Sequence, residues 1–208
     1  METRPAPPAA QGHRRPAGVL LAAGAGRRMG TPKALVHDPD GTSWLRRSVR
    51  VLRRGGCAPV VVVLGAESGP AAALLTDQDV TLVVADDWVE GMGASLRAGL
   101  AHLLATDSTV AVISLVDLPD VGPDVVERVT GAAGDGAAGD GSAVLARAAY
   151  DGVPGHPVVI GREHWPAVIS CAVGDRGARD FLSARTVELV ECGDLAHGFD
   201  VDTRESLS

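Results

Sequence analysis

Residues 19–33 read Val19-Leu20-Leu21-Ala22-Ala23-Gly24-Ala25-Gly26-Arg27-Arg28-Met29-Gly30-Thr31-Pro32-Lys33, a short apolar run that opens into a basic, glycine-containing loop. The apolar run is typical of a buried strand. Glycines in the loop allow the backbone to approach a ligand closely with its N–H groups pointing outward. Arg27, Arg28 and Lys33 add positive charge to the same loop. A strand that leads into such a loop indicates a site for a polyphosphate.

The spacing of the loop excludes two common phosphate-binding motifs. A Walker loop requires a lysine directly after the second glycine, whereas Lys33 comes three residues after Gly30. The dinucleotide-binding fingerprint begins at Gly24 and Gly26, but Met29 stands in place of its third glycine. An acidic residue about 20 residues further on, at the end of a second strand, is also missing.

Composition narrows the class of protein. The chain has 208 residues and a net charge of −7, which suits one domain with a substantial core and argues against a general nucleic-acid surface. Cys57, Cys171 and Cys192 are widely separated, so we expect reduced thiols in a cytoplasmic protein. No run reaches the ~20 apolar residues that would cross a membrane. Residues 1–16 are predicted to be a disordered tail, and residues 17–208 a single domain.

The remaining pattern alternates strands with helices. Strands are predicted at 17–23, 60–64, 81–84, 110–115, 143–146, 157–160 and 187–190. Helices are predicted from a Thr42 cap to residue 54, at 70–75 and 93–105, from Pro123 onward, and at 175–184 and 203–207. On the helix at 93–105, we expect Leu96, Leu100, Leu103 and Leu104 to form one apolar stripe. Residues 131–142, which repeat Gly-Ala-Ala-Gly-Asp, are predicted to be a flexible loop, and residues 150–156 a tight turn. The alternation predicts an α/β fold with a mostly parallel sheet, extended by later antiparallel strands.

Acidic residues that could bind a metal ion occur at two places, after the strand predicted at 110–115 and near the C-terminus. Asp117 comes directly after the predicted strand 110–115, beside the expected phosphate loop, where a carboxylate suits Mg²⁺. Asp117 could instead cap a turn, and Asp120 is expected to be a turn or helix cap. Asp200 and Asp202 alternate on one side of an extended segment and could complete the metal site, or Asp202 could only cap the last helix.

Three other stretches present polar groups. Ser95 lies in the first turn of the helix predicted at 93–105, where backbone N–H groups suit an anion or a base edge. His156 is displayed by a turn of two prolines and two glycines, a position that by itself favours a structural role. Arg176 and Arg179 open the helix predicted at 175–184 and suit a phosphate on a second substrate, although surface arginines at a helix start are also ordinary.

Taken together, these stretches resemble the molybdenum cofactor nucleotidyltransferases, in particular the cytidylyltransferase branch. The matching motifs run in order: Leu-Ala-Ala-Gly, Arg-Met-Gly and Pro-Lys at 21–33, Gly-Met-Gly-Ala-Ser-Leu at 91–96, Asp-Leu-Pro at 117–119, Asp-Gly-Val-Pro-Gly-His-Pro at 151–157, Gly-Asp-Arg-Gly-Ala-Arg at 174–179, and Asp-Val-Asp-Thr at 200–203. They cover residues 18–207.

The resemblance implies a three-layer, Rossmann-like nucleotidyltransferase fold that uses Mg²⁺ to transfer CMP from CTP to a phosphorylated acceptor such as molybdopterin, with release of pyrophosphate. A molybdoenzyme partner is also implied. Arg28, Lys33 and Asp117 are expected to act in catalysis, and Asp117, Asp200 and Asp202 to hold the metal. The nucleotide is expected at Leu21, Ala22, Ala23, Gly24, Gly26, Arg28, Lys33 and Ser95. The acceptor is expected at His156, Arg176 and Arg179.

Two other functions remain open at this point. A sugar-phosphate nucleotidyltransferase would use a related loop but would leave the motifs at 151–157 and 174–179 without a purpose. A non-catalytic relative would bind a nucleotide or cofactor and serve a molybdoenzyme. Such a protein is expected to lose the loop lysine or the metal carboxylate, and Lys33 and Asp117 are both present.

Overall fold

The computed structural model describes residues 15–135 and 140–201, which build a seven-stranded sheet in the order β3-β2-β1-β4-β6-β5-β7. The strands are β1 Ala17–Ala22, β2 Val60–Leu64, β3 Thr81–Val84, β4 Val110–Leu115, β5 Leu145–Tyr150, β6 Val153–Gly161 and β7 Glu188–Glu191. β6 is antiparallel to both of its neighbours, and every other pair is parallel. The prediction of an α/β fold with a mostly parallel sheet is confirmed.

Helices cover both faces of this sheet. They are α1 Trp44–Arg54, α2 Ser68–Ala73, α3 Met92–Leu104, α4 Pro123–Asp135, α5 Trp165–Cys171 and α6 Arg179–Ser183. Leu20 and Val62 pack with Trp44 of α1 on one face, whereas the alternate residues Val19 and Val61 pack with α3 and α5 on the other. The central strands are therefore buried on both sides, which explains their unbroken apolar sequence. Among the described residues, no helix combines the length and hydropathy needed to cross a membrane.

Predictions for the first half of the chain hold closely. β2, β3 and β4 have the predicted bounds. α1 is capped by Ser43, whose Oγ accepts from the Arg46 N–H at 3.4 Å, so the prediction of Thr42 as the cap is wrong by one residue. α2 begins two residues earlier than predicted. On α3 the predicted stripe loses Leu104, which is 38% exposed, because α3 ends there and only its preceding leucines face the sheet.

The hairpin of β5 and β6 corrects the predictions for residues 143–160. β5 begins at Leu145 and continues to Tyr150, and the turn is limited to Asp151 and Gly152, with φ of 51° and 77°. Two positive φ values in an Asp-Gly pair are typical of a two-residue hairpin turn. The Asp151-Gly152 pair in the sequence is itself an indication of such a turn. His156 therefore lies on β6 and not in a turn.

The helix predicted at 175–184 is also wrong as a single element. A 3₁₀ turn covers Gly174–Arg176, and α6 begins only at Arg179. Gly177 between them has a φ of +53°, which a continuous helix does not allow. The predictions missed α5, and they placed β7 one residue too early. The helix predicted at 203–207 and most of the predicted tail lie outside the described residues. Pro16 accepts a hydrogen bond from the Ala58 N–H at 2.9 Å, so the tail prediction reaches too far at that residue.

The predicted flexible loop at 131–142 is wrong over much of its length. α4 continues to Asp135 through two glycines, Gly131 and Gly134, because Val125, Val126 and Val129 anchor the helix in the core. Residues 136–139 lie outside the described range. Beyond them, the Asp140 carbonyl accepts from Thr109 Oγ1 at 3.0 Å, and the Ser142 carbonyl accepts from the Glu163 N–H at 3.0 Å.

Two glycine-to-alanine variants test this helix assignment. Around Gly131 a Cβ would meet no atom within 4 Å, so Gly131→Ala gains helix propensity and is expected to stabilise the protein by ~0.5–1 kcal/mol. Around Gly99 of α3, a Cβ would lie 2.7 Å from Val19 Cγ1, so Gly99→Ala is expected to destabilise it by ~1–3 kcal/mol. Urea unfolding of both variants measures the difference. A Gly131→Ala variant without any gain in stability would contradict a helix at that position.

Candidate nucleotide and acceptor site

The loop after β1 is held in one shape by its glycines and by Met29. The Gly30 N–H donates to the Gly26 carbonyl at 2.9 Å. Gly26 has a φ of +59°, and a Cβ there would lie 1.9 Å from the Thr31 carbonyl oxygen, so the turn requires glycine. Met29 is 3% exposed and packs into the core beneath the loop. The methionine that replaces the third glycine of a dinucleotide fingerprint is therefore the anchor of this loop, while Arg27 and Arg28 are exposed.

A cavity of about 610 Å³ opens at the carboxyl ends of β1 and β4. Its walls are the glycine loop, the residues after β4 and the first turn of α3. All the residues expected to bind the nucleotide line it: Leu21, Ala22, Ala23, Gly24, Gly26, Arg28, Lys33 and Ser95. Ser95 is buried on α3. Trp88 and Asp175 also line this cavity and were not predicted.

Lys33 and Asp117 meet at the floor of this cavity. β1 and β4 are parallel with Leu21 opposite Leu115, so the segments that follow them leave the sheet side by side. Lys33 Nζ donates to Asp117 Oδ2 at 2.5 Å, and the two side chains are only 18% and 11% exposed. Burial raises the pKa of the Asp117 carboxyl, while Lys33 acts in the opposite direction and Asp200 adds a smaller upward effect. The ionised form of Asp117 is thus stabilised by a nearby cation.

Asp200 reaches the cavity because two contacts hold the C-terminal segment against the site. The Val201 N–H donates to the Asp117 carbonyl at 3.0 Å. Asp120 Oδ2 accepts from the N–H groups of His197 and Gly198 at 2.6 and 3.1 Å. The prediction that Asp120 caps a turn or a helix is therefore wrong. Its carboxylate instead binds the backbone of a segment that is distant in sequence. Asp202, the other predicted metal ligand, lies outside the described residues.

The donor set fits a divalent metal ion that takes oxygen ligands. Asp117 and Asp200 line the same cavity, and the Lys33 ammonium already occupies a cation's place on Asp117. Mg²⁺ in such sites is bound by one or two carboxylates together with substrate phosphates. Within the described residues there is no cluster of three or more acidic, histidine or cysteine side chains that would hold a metal without substrate.

A second cavity of about 290 Å³ adjoins the first. The three residues expected to bind the acceptor, His156, Arg176 and Arg179, line it. Arg179, Asp175 and Asp200 line both cavities, so the two share part of their walls. Arg176 is engaged by Asp180, which accepts from its Nε at 2.8 Å.

His156 sits on an irregular part of β6. The pairing of β5 with β6 shifts between Arg147, opposite Val158, and Ala149, opposite Pro154, so β6 bulges over the residues between. The Tyr150 hydroxyl donates to the His156 carbonyl at 2.7 Å and holds this bulge. Burial, with Arg147 and Arg179 nearby, lowers the pKa of His156 to about 4. The imidazole is therefore neutral at physiological pH.

Arg147 is the site residue that sequence reasoning missed. It lies on β5, lines the second cavity and donates from Nε and Nη2 to the Gly155 carbonyl at 3.1 and 2.9 Å. The signal was present: residues 145–150 read Leu-Ala-Arg-Ala-Ala-Tyr, and an arginine within a buried strand calls for a polar partner or a ligand. Placing residues 147–150 outside a strand concealed that signal.

The chain is an α/β protein with two adjoining cavities at the edge of its sheet, and comparison with known proteins identifies its family. The profile of the MobA-like NTP transferase domain matches residues 18–189, so the chain belongs to that family. The resemblance found in the sequence is confirmed at this level.

Individual relatives differ in their names. Nicotine blue oxidoreductase from Paenarthrobacter nicotinovorans is 37% identical over 200 residues, or 91% of this chain and 93% of that protein. A probable molybdenum cofactor guanylyltransferase from Rhodopirellula baltica is 34% identical over 107 residues, or 51% and 50% of the two chains. The crystal structure of Rv0371c from Mycobacterium tuberculosis has a TM-score of 0.72 at 28% identity and covers 92% of this chain and 94% of that one. A structure of Rv0371c with manganese has a TM-score of 0.65 at 26% identity, covering 86% and 87%.

The lowered pKa of His156 has a consequence for stability. Between pH values of about 4 and 6.5, the ordinary pKa of histidine, His156 is protonated in the unfolded chain but not in the folded chain. The free energy of unfolding therefore rises with pH across this window and levels off above it. We expect His156→Gln to remove up to ~3 kcal/mol of this pH dependence. Urea unfolding from pH 4.5 to 7.5 measures this pH dependence. If the free energy of unfolding changed with pH in the same way in the variant, His156 would not have a lowered pKa in the folded protein.

Proposed function

We propose that this protein transfers CMP from CTP to the terminal phosphate of a molybdopterin-type acceptor and releases pyrophosphate. The supporting observation is that two cavities adjoin and share lining residues. One carries the glycine loop with Lys33 and Asp117, and the other carries arginines around a neutral histidine. An enzyme that joins two phosphorylated substrates needs both kinds of pocket side by side.

In the proposed reaction, an oxygen of the acceptor phosphate attacks the α-phosphorus of CTP. A new oxygen–phosphorus bond forms as the bond from the α-phosphorus to the bridging oxygen of the β-phosphate breaks, and that electron pair leaves with pyrophosphate. Because the acceptor phosphate is already ionised at neutral pH, no strong general base is required. Positioning and charge neutralisation provide the catalysis.

The residues of the first cavity divide this work. The backbone N–H groups of the glycine loop, with Arg28 and Lys33, bind the β- and γ-phosphates and stabilise the leaving pyrophosphate. Asp117 and Asp200 would hold Mg²⁺, which would supply positive charge to neutralise the phosphates. Lys33 exchanges its bond to Asp117 for a bond to phosphate when the nucleotide enters. Asp202 remains a proposed ligand beside Asp200.

The second cavity is proposed to hold the acceptor through His156, Arg176 and Arg179. The product of such a reaction is a dinucleotide form of the cofactor, so a molybdoenzyme that receives it is the proposed partner. The cytoplasmic location that the separated cysteines favour is part of the same proposal.

A second candidate activity is that of an oxidoreductase, because nicotine blue oxidoreductase matches nearly the whole chain at 37% identity. The two candidates are separated by parallel assays of the purified protein. In one, CTP, GTP, ATP or UTP is supplied with Mg²⁺ or Mn²⁺ and molybdopterin, and pyrophosphate is measured. In the other, nicotine blue is supplied with NADH or NADPH, and the loss of reduced nicotinamide is followed by absorbance. Consumption of reduced nicotinamide with no pyrophosphate from any nucleotide would overturn the transferase proposal.

Asp117→Asn tests the metal-binding role. The variant removes the charge that holds the metal but keeps the size of the side chain, so we expect pyrophosphate release to fall by ~10²–10³-fold or more. Asp124→Asn is the matched control, since Asp124 is exposed in the first turn of α4 and outside both cavities. Circular dichroism and thermal melting check folding. A folded Asp117→Asn variant with near-normal activity would exclude Asp117 as the metal ligand.

The choice of base is proposed to depend on Ala23. In the resembling family, Leu-Ala-Ala-Gly accompanies cytidine and Leu-Ala-Gly-Gly accompanies guanosine, and this chain has Leu21-Ala22-Ala23-Gly24. The Ala23 methyl occupies space in the cavity wall that a two-ring base would need. Exclusion by shape is worth ~1–3 kcal/mol, so we expect CTP to be preferred over GTP by roughly 10- to 200-fold in kcat/KM.

Competition between equal concentrations of CTP and GTP measures this ratio in the wild type and in Ala23→Gly. The variant is expected to narrow the ratio without reversing it, because the segment 91–96 also lines the cavity. Dominant GMP transfer by the wild type would refute the cytidylyl assignment but not the transferase assignment.

A further inference from the structure

We infer that Arg147 and Arg179 form an anion subsite in the second cavity, which receives the phosphate of an acceptor whose body is apolar or ring-shaped. This inference deepens the proposed transferase function and rests on it for the name of the substrate. The subsite itself is argued from the charges and walls of the cavity.

Arg147 is a partly buried cation with no carboxylate partner. Its guanidinium is fixed by two hydrogen bonds to the Gly155 carbonyl, a neutral acceptor. Among the described residues, no ion pair involves Arg147 or Arg179. Burial and the proximity of Arg179 lower the pKa of Arg147, which shows that its charge is poorly compensated. A buried charge without a partner is costly, and a bound anion would offset that cost.

The remaining donors of Arg147 suit a phosphate. Nε and one N–H of Nη2 are directed at Gly155, which leaves Nη1 and the second N–H of Nη2 for a ligand. A guanidinium with two N–H groups free can bind two phosphate oxygens at once. Because the bulge of β6 frees the Gly155 carbonyl from the strand ladder, the same irregularity that displays His156 also orients Arg147.

Arg179 places the subsite at the junction of the two cavities, since it lines both. Arg176 carries less free charge because Asp180 accepts from its Nε at 2.8 and 2.9 Å. Burial, and to a smaller extent the nearby Arg147 and Arg179, lowers the pKa of His156, so the neutral imidazole adds a hydrogen-bond donor or acceptor without a third charge. Arg147 and Arg179 together suit a phosphate monoester, which carries a charge of about −1.5 to −2 at pH 7, although Asp175 and Asp200 line the same cavity and Asp180 interacts electrostatically with Arg179.

The other walls of the cavity indicate what carries this phosphate. Apart from the ionisable side chains and His156, they are glycine, proline and aliphatic residues, among them Leu96, Ile113, Leu118 and Val158. No serine, threonine, asparagine or glutamine is among the described residues that line it. Against this aliphatic part of the wall the hydroxyl groups of a sugar would find no side-chain partners, whereas an apolar or planar ring would be buried favourably. The polar side chains of the cavity are those of Arg147, His156, Asp175, Arg176, Arg179 and Asp200.

The first experiment titrates inorganic phosphate into the full-length protein and follows the His156 imidazole by NMR, assigned with His156→Gln. Titrations with and without a non-hydrolysable CTP analogue and Mg²⁺ separate this subsite from the nucleotide cavity. We expect a saturable shift in the wild type and ~10–100-fold weaker binding in Arg147→Gln and Arg179→Gln. Arg147→Lys is expected to recover part of the affinity. An unshifted His156 in the wild type, or unchanged affinity in both glutamine variants, overturns the subsite.

Arg185→Gln is the matched control, because Arg185 follows α6, is exposed and lies outside both cavities. It removes one positive charge nearby and is expected to leave phosphate affinity unchanged. If Arg147→Gln does not fold, Arg179→Gln still decides the outcome, because the Arg179 side chain is exposed and takes part in no ion pair among the described residues.

The second experiment compares phenyl phosphate with glucose 1-phosphate as ligands of similar size. We expect phenyl phosphate to bind about 10-fold more tightly, since its ring is buried against the aliphatic walls. Equal or tighter binding of glucose 1-phosphate overturns the inference about the acceptor body. Both experiments are independent of turnover. If phosphate binds as expected but no nucleotide yields pyrophosphate, the transferase proposal fails and the subsite stands.

Discussion

The parallel alignment of β1 with β4 is the constraint on which the site depends. Leu21 lies opposite Leu115, so the glycine loop and Asp117 leave the sheet at the same edge. The ion pair between Lys33 and Asp117 then joins two segments separated by 84 residues in sequence. Since both side chains are largely buried, the removal of Lys33 would leave the Asp117 carboxylate without this ion-pair partner beneath the cavity. The pair therefore sets the shape of the floor on which a triphosphate would rest.

The C-terminal segment depends on the same edge of the sheet. Its backbone is fastened by the carbonyl of Asp117 and by the carboxylate of Asp120, and Gly198 packs so closely on Tyr150 that a Cβ would lie 2.0 Å from its ring. Tyr150 in turn holds the bulge that carries His156. One chain of contacts thus connects the carboxylate side of the first cavity to the cationic side of the second. The positions of Asp200 and His156 are consequences of this one arrangement.

The sequence predicted the first half of the fold well, because β1, β2 and β4 are buried on both faces and so appear as unbroken apolar runs. It also placed the loop and Asp117 together, since parallel strands bring their carboxyl ends to one edge. The second half was harder to predict. The β5–β6 hairpin, the break at Gly177 and the extension of α4 through Gly131 all depend on tertiary contacts that outweigh local propensity. Asp120 was given the wrong role and Arg147 none, because their partners, at 197–198 and at Gly155, are fixed only in three dimensions.

Although the protein is acidic, cationic side chains line both of its cavities. The net charge of −7 repels anions at long range, but the cations of the site lie in cavities, where their field is screened less than at the surface. In the first cavity Lys33 and Asp117 form an ion pair. Among the described residues, Arg147 and Arg179 of the second cavity form no ion pair, although the carboxylates of Asp175 and Asp200 line the same cavity. Arg147 is instead fixed by the neutral Gly155 carbonyl, so an anion that binds to its guanidinium would not have to displace a carboxylate first.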